Sequence, residues 1–173
     1  GRKTGHESKV FTDFSDKRYE SFRKQKVNLE ERNPDKLEGE EKKNFLKGAE
    51  IAYETIITSF AKGDQKKLDE LLTRDMASNF KQAINERNKN GIKSELTFIS
   101  MKESDLEKYE KVKTNLYATV KFVSEIISVK KDKSNKVIEG NPDRIKTVTD
   151  HWKFTKNILN KSPNWYLTEI TNK

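Results

Sequence analysis

The sequence contains no cysteine, which excludes disulfides, thiolate zinc sites and cysteine nucleophiles. Cysteine-free chains occur in many compartments, so this absence names none. Only two histidines are present, His6 and His151, too few for a histidine cluster around a metal. The seven glycines are scattered and the prolines number three; no glycine-rich loop is available to cradle a phosphate. Apolar stretches last only a few residues, whereas a membrane-spanning helix needs about 20 in succession. No such span lies in these residues, and neither an internal repeat nor a low-complexity tract is present.

Charge is what the sequence has in excess. Of 173 residues, 36 are Lys or Arg and 28 are Asp or Glu, a formal charge of +8. Charged residues make up 37%, against a usual share of roughly 25%. The apolar residues are segregated: residues 1–44 hold 8 and residues 45–173 hold 47. This predicts a basic leader over residues 1–40 and one folded domain over 41–173, its core beginning near Phe45. Position 1 is Gly rather than Met, as expected if an upstream signal or anchor has been lost.

Residues 1–9 are polar and read as a flexible lead-in. From Val10 to Gln25, Phe11, Phe14 and Phe22 recur near helical spacing with Lys17, Arg18, Arg23, Lys24 and Lys26 beside them, an aromatic-faced basic helix. A linker to Glu41 follows, containing Asn33-Pro34-Asp35. The strongest helical stripe is Phe45, Ala49, Ala52, Tyr53, Ile56, Ile57 and Phe60, closed by Gly63 in a left-handed cap. Asp64 is placed to cap a short helix carrying Leu68, Leu71 and Leu72. A third helix fits Arg74 to Lys89, with Met76, Phe80, Ala83 and Ile84 as its apolar stripe.

After Gly91 the period falls to two. Leu96 and Phe98 alternate with polar neighbours, and Leu116, Ala118, Val120 and Phe122 begin a long strand reaching Val129, with a bend or bulge expected near Ser124. Lys131 to Pro142 has the composition of a hairpin loop. Ile145–Lys156 and Trp165–Ile170 supply two further strands. Helices first and antiparallel strands afterwards predict an α+β domain, a cone in which the long helix lies across a curved sheet of about four strands.

Several segments look familiar in their order. Gly48-Ala49-Glu50-Ile51-Ala52-Tyr53-Glu54, then Phe60-Ala61-Lys62-Gly63-Asp64 with Leu68 and Leu71-Leu72, resembles the opening of the Tim44-like domain. Phe122-Val123-Ser124, Gly140-Asn141-Pro142-Asp143, Asp150-x-Trp152-x-Phe154 and Pro163-Asn164-Trp165-x-Leu167 continue the resemblance, which covers about residues 40–170. Gly1-Arg2-Lys3-Thr4-Gly5-His6-Glu7 looks like the segment that follows a single membrane helix in bacterial members. The resemblance implies a cystatin-like or nuclear-transport-factor-like cone. It also implies a non-catalytic role at an inner membrane, the bacterial one in preference to the mitochondrial, reached by an upstream anchor or by peripheral binding. In mitochondria that role is holding a chaperone and binding anionic lipid beside a protein-conducting channel. One related branch belongs to the mitochondrial large ribosomal subunit, so fold and task are separable.

The membrane-binding candidates are Phe11, Phe14, Lys17, Arg18, Phe22, Arg23 and Lys24. Aromatics entering the headgroup boundary and cations meeting phosphates would gain roughly 1 kcal/mol per basic residue near an anionic surface. The plainer alternative is a helix packing its aromatics on its own domain or on a second copy. The charge excess sits at the two ends: residues 1–48 carry 13 basic against 10 acidic side chains, residues 49–130 carry 14 against 13, and residues 131–173 carry 9 against 5. No run of five basic residues and no nucleic-acid motif occurs, so RNA is the less favoured partner. Anionic lipid and partner proteins, a chaperone or translocase component among them, are the expected ones.

Asp150, Trp152 and Phe154 share one face of a strand, where with Tyr53 and Phe60 they would line a pocket for an acyl chain or hydrophobic peptide. The alternative is plain core with one hydrogen-bonded carboxylate. Catalytic candidates are sparse. Asp150 and His151 are the acid-base groups a small-molecule enzyme on such a cone would use, but His151 faces away from Trp152 and reads as an exposed strand histidine. Glu50 and Glu54 read as solvated. Asp132-Lys133-Ser134-Asn135 departs from calcium-loop spacing, and Asn160-Lys161-Ser162 is a glycosylation pattern common by chance. No cofactor is implied.

Overall fold

A computed structural model describes residues 36–171 of the chain. The expected basic helix over residues 10–25, with its membrane-binding candidates, lies outside the described residues, as does His6. Helix α1 (Gly39–Lys62) starts within the expected linker, with Glu40 and Glu41 in its first turn, where the positive end of the helix dipole favours carboxylates. Gly63 ends it at φ 77°; its N–H donates to the Phe60 carbonyl and that of Asp64 to the Ser59 carbonyl, satisfying the last turn as a left-handed cap does. Asp64 then caps α2 (Gln65–Asp69) by accepting from the Lys67 N–H at 3.2 Å. Helix α3 (Arg74–Lys89) follows and buries Ile84, while Ala83, expected on its apolar stripe, is exposed.

The strands are β1 (Lys93–Val112), β2 (Asn115–Lys131), β3 (Val137–Gly140), β4 (Lys146–Asn157) and β5 (Tyr166–Thr171). They form one antiparallel sheet in the order β1-β2-β4-β5, with β3 pairing the end of β2 beyond β4. The sheet is curved and unclosed, five strands rather than about four, because the turn-rich segment after Lys131 contributes the short β3. Gly140 adopts φ 85°, and a Cβ there would collide with the Ser128 carbonyl of β2. Only glycine permits that close antiparallel approach.

The expected irregularity near Ser124 falls on the neighbouring strand. Pairing of β2 with β4 runs unbroken from Asn115 to Ile126. Against β1 it slips between Phe98 and Ser100, between Met101 and Glu103, and between Leu106 and Lys108. Each slip inserts one residue into β1 and bends it. In consequence the β1 positions opposite the buried side of β2 are the half-buried Phe98, Met101, Ser104, Leu106 and Tyr109, followed by the exposed Lys111 opposite Leu116.

Helix α1 lies across β1 and β2 on one face of the sheet. Its stripe joins Leu116, Ala118, Val120 and Phe122 of β2, Trp152 and Phe154 of β4, and Trp165 and Leu167 near β5 in one core. The α2–α3 junction adds to the β5 edge: the Leu167 N–H donates to the Leu71 carbonyl and the Thr73 N–H to the Leu167 carbonyl. This satisfies backbone groups that an open edge would leave to a stray strand.

Candidate functional site

The Asp150-x-Trp152-x-Phe154 segment meets α1 in an aromatic cluster. The Tyr53 ring centroid lies 4.5 Å from that of Trp152 and 4.6 Å from that of Phe122, in tilted contacts, while Phe122 and Trp152 meet edge to face at 5.7 Å. Phe45, two turns earlier on α1, sets its ring edge against Phe154 and Trp165. Such geometries place ring edges on the electron-rich faces. Tyr53, Trp152 and Phe154 are all at most 3% exposed.

Within this apolar packing sits a polar bridge between helix and sheet. The Tyr53 hydroxyl donates to Asp150 Oδ2 at 2.6 Å and lies 2.9 Å from Ser124 Oγ. The short contact is that of an O–H bound to a charged acceptor. Burial above all, then the bond to Asp150 and its negative charge, push the Tyr53 phenol well above its usual range, with the Ser124 bond acting in the opposite direction. Tyr53 is therefore a neutral donor across the physiological range, and the bridge ties α1 to β2 through Ser124 and to β4 through Asp150. The Trp152 indole N–H is buried and finds no hydrogen-bond partner among the described residues.

Of the five residues expected to line a pocket, Tyr53, Asp150, Trp152 and Phe154 come together here. Phe60 sits apart, at the far end of α1. Its ring lies 5.0 Å from that of Phe80 and beneath the Arg87 guanidinium at 4.9 Å. Arg87 Nη2 also donates to the Phe60 and Ala61 carbonyls at 2.5 and 2.9 Å, so one cation closes the C-terminus of α1 and stacks on its last aromatic.

His151 occupies the opposite face of β4, as alternation requires, so it shares no site with Asp150. Contrary to an exposed reading, its side chain retains only 12% exposure and its Nδ1 is 2.7 Å from Glu107 Oε1. That outer face carries a ladder of cross-strand pairs, including Lys121–Glu103 and Lys153–Glu169. The Glu103 carboxyl is held below its usual range, first by its bond to Lys121, while Asp105 beside it is raised, first by its hydrogen bond to Glu103. Both are solvent-exposed, and pairs of this kind contribute little to stability.

Glu50 is half-buried rather than solvated and accepts from the Ser104 hydroxyl of β1; Glu54 is exposed. Ser124 and Ser104 are the participants that sequence reasoning overlooked. Ser124 had a signal, since a polar residue in the buried phase of Leu116, Ala118, Val120 and Phe122 needs a partner. Ser104 had none, because the bulges of β1 scramble its phase. Among the described residues no group of histidine and carboxylate side chains is arranged to hold a metal, and no helix is long and apolar enough to cross a membrane.

A long helix and its helical partners over one face of a curved antiparallel sheet define the class of α+β cones. Within it, residues 39–172 match the Tim44-like domain, and the chain belongs to that family. The crystal structure of the intermembrane space region of the chloroplast protein ARC6 has the same fold, with a TM-score of 0.50 at 15% identity, covering 73% of this chain and 94% of that one. No curated protein sequence matches.

Proposed function

We propose that this chain is a non-catalytic scaffold at an inner membrane, bacterial in preference to mitochondrial, that contacts anionic lipid and holds partner proteins of the translocation machinery. Membership of the Tim44-like family over residues 39–172 carries the reading. In it, Phe11, Phe14 and Phe22 enter the headgroup boundary while Lys17, Arg18, Arg23 and Lys24 meet phosphates. The folded domain behind them presents helices on one side and a charged sheet face on the other. The polar bridge around Tyr53 supports a structural role for Asp150, because its carboxylate is engaged by a neutral phenol. Affinity purification of the cross-linked full chain from native membranes tests the reading. A translocation channel or chaperone subunit is the expected enriched species; ribosomal proteins with RNA in their place would replace it with the ribosome-associated reading.

A further inference from the structure

Strands β3 and β4 both run antiparallel to β2 on the side that β1 leaves open. β3 ends with Gly140 opposite Val129, and β4 begins with Lys146 opposite Ile126. They form one line of strand interrupted by residues 141–145, a five-residue excursion set against only Ile127 and Ser128. Every residue from 133 to 147 is exposed, yet the segment is braced. Asp132 Oδ1 accepts from the Ser134 and Lys136 N–H groups at 2.8 and 3.0 Å, and Asn141 Oδ1 from the Asp143 N–H at 2.8 Å. The Asp132 N–H donates to the Lys136 carbonyl and the Asn135 N–H to the Asp132 carbonyl, each at 2.9 Å, closing the β2–β3 turn.

This braced segment is apolar at its centre and basic at its ends. Val137 is 36% exposed, Ile138 51% and Ile145 55%. The register slip between Lys130 and Lys131 leaves Ile138 as an inserted residue, which re-aims its side chain out of the ordinary alternation. Lys133 and Lys136 precede β3, and Arg144 and Lys146 follow it. The nearby carboxylates are largely engaged: Asp132 caps the turn, Glu139 lies 3.7 Å from Lys130, and Glu95 lies 3.1 Å from Lys131. Among the described residues of the segment, Asp143 is the acid left to face Lys133, Lys136, Arg144 and Lys146.

Strand β3 also has an open edge. It pairs with β2 on one side, and no described strand lies on the other, which leaves backbone donors and acceptors for an added strand. A second copy would set these cations against themselves, and a bilayer would set Glu139 and Asp143 against phosphates, both costly juxtapositions. We infer that this edge receives an extended segment of a partner protein, apolar in the middle and acidic at both ends. The segment pairs with the backbone of Val137–Gly140, its apolar side chains cover Ile138 and Ile145, and its carboxylates meet the four cations. The four residues of β3 span about 13 Å at roughly 3.3 Å per residue, so a short segment suffices. The inference rests on the partner-holding reading and gives that partner a chemistry.

The full chain is titrated with a fluorescein-labelled peptide, Glu-Glu-Val-Ile-Val-Glu-Glu, and with the control Lys-Lys-Val-Ile-Val-Lys-Lys, while amide exchange is followed by NMR. Binding of the acidic peptide alone is expected, with new protection confined to Val137–Gly140. Ile138→Asp should abolish it. Combined Lys133→Gln, Lys136→Gln, Arg144→Gln and Lys146→Gln should weaken it on the order of tenfold at low salt, from about twofold per exposed pair. Peptide binding without protection at β3, binding that survives Ile138→Asp, or no binding at all overturns the inference. Protection at β3 by phosphatidylglycerol vesicles but not by the peptide assigns the edge to lipid. Protection in the peptide-free chain assigns it to a second copy if it grows with protein concentration, and to another segment of this chain if it does not. Each of these results overturns the partner segment and leaves the scaffold reading to be decided by the purification from native membranes.

Discussion

Tyr53→Phe removes one oxygen and leaves the ring cluster in place, which makes it the sharpest probe of how α1 is set on the sheet. The hydroxyl serves a carboxylate at 2.6 Å and a buried serine at 2.9 Å. Hydrogen bonds to charged groups contribute about 1.5 to 3 kcal/mol. Asp150 is half-buried, so water replaces part of what its carboxylate loses, and the lower half of that range applies. A loss of about 2 kcal/mol is expected, or a fall in Tm of about 4 to 8 °C for a domain of this size. Asp150→Asn should cost less, since its amide oxygen still accepts. The double variant should show a coupling of at least about 0.5 kcal/mol, read from urea unfolding curves. The pH dependence has a definite sign. The phenol of the unfolded chain ionises near pH 10, while that of the folded chain is held protonated to higher pH. The stabilisation is complete below that point and falls as pH rises through the alkaline range; Tyr53→Phe should flatten this decline. Unchanged stability in Tyr53→Phe, or a coupling indistinguishable from zero, would refute the bridge as a determinant of helix placement.

Trp152→Ala should cost about 3 to 5 kcal/mol by leaving a cavity, while Trp152→Phe should be far milder, because an aromatic ring still fills the site and the indole N–H has no partner among the described residues; thermal unfolding separates the two. Arg87→Ala strips the α1 carbonyls of their donor and should destabilise by about 1.5 to 3 kcal/mol, with Arg87→Lys recovering only part, as measured by denaturant titration. Gly140→Ala should detach β3 from β2, seen as faster amide exchange at Lys130 and Lys131 while the Tyr53 region of α1 keeps its protection.

The helices were legible because their signals are local: the stripe from Phe45 to Phe60, the left-handed Gly63 and the Asp64 cap each fall where expected. The alternation of Leu116 to Phe122 announced β2 for the same reason, being unbroken against β4. Strand β1 was legible only to Phe98. Three inserted residues move its inward positions to 101, 104, 106 and 109, so the run Lys102–Val112 shows no period of two despite lying in one strand. The β3 pairing was hidden because a segment rich in turn residues is fixed by its contact with β2 rather than by its own propensity. At the site, the alternation of Asp150, Trp152 and Phe154 was readable, but the partners supplied by distant elements were not. Ser104 meets Glu50, and Glu107 meets His151, only through the bulged register of β1. Phe60 shares a helix stripe with Tyr53 yet is two turns away along its axis, which is why Arg87 and Phe80, rather than Trp152, receive it.

Co-sedimentation of the full chain with vesicles across a salt series tests the central claim most directly. Binding to phosphatidylglycerol-containing vesicles that weakens steeply as salt rises, with little binding to phosphatidylcholine alone, is the result predicted for a basic, membrane-associated scaffold. A chain that stays in the supernatant with both vesicle types at low salt would contradict the account.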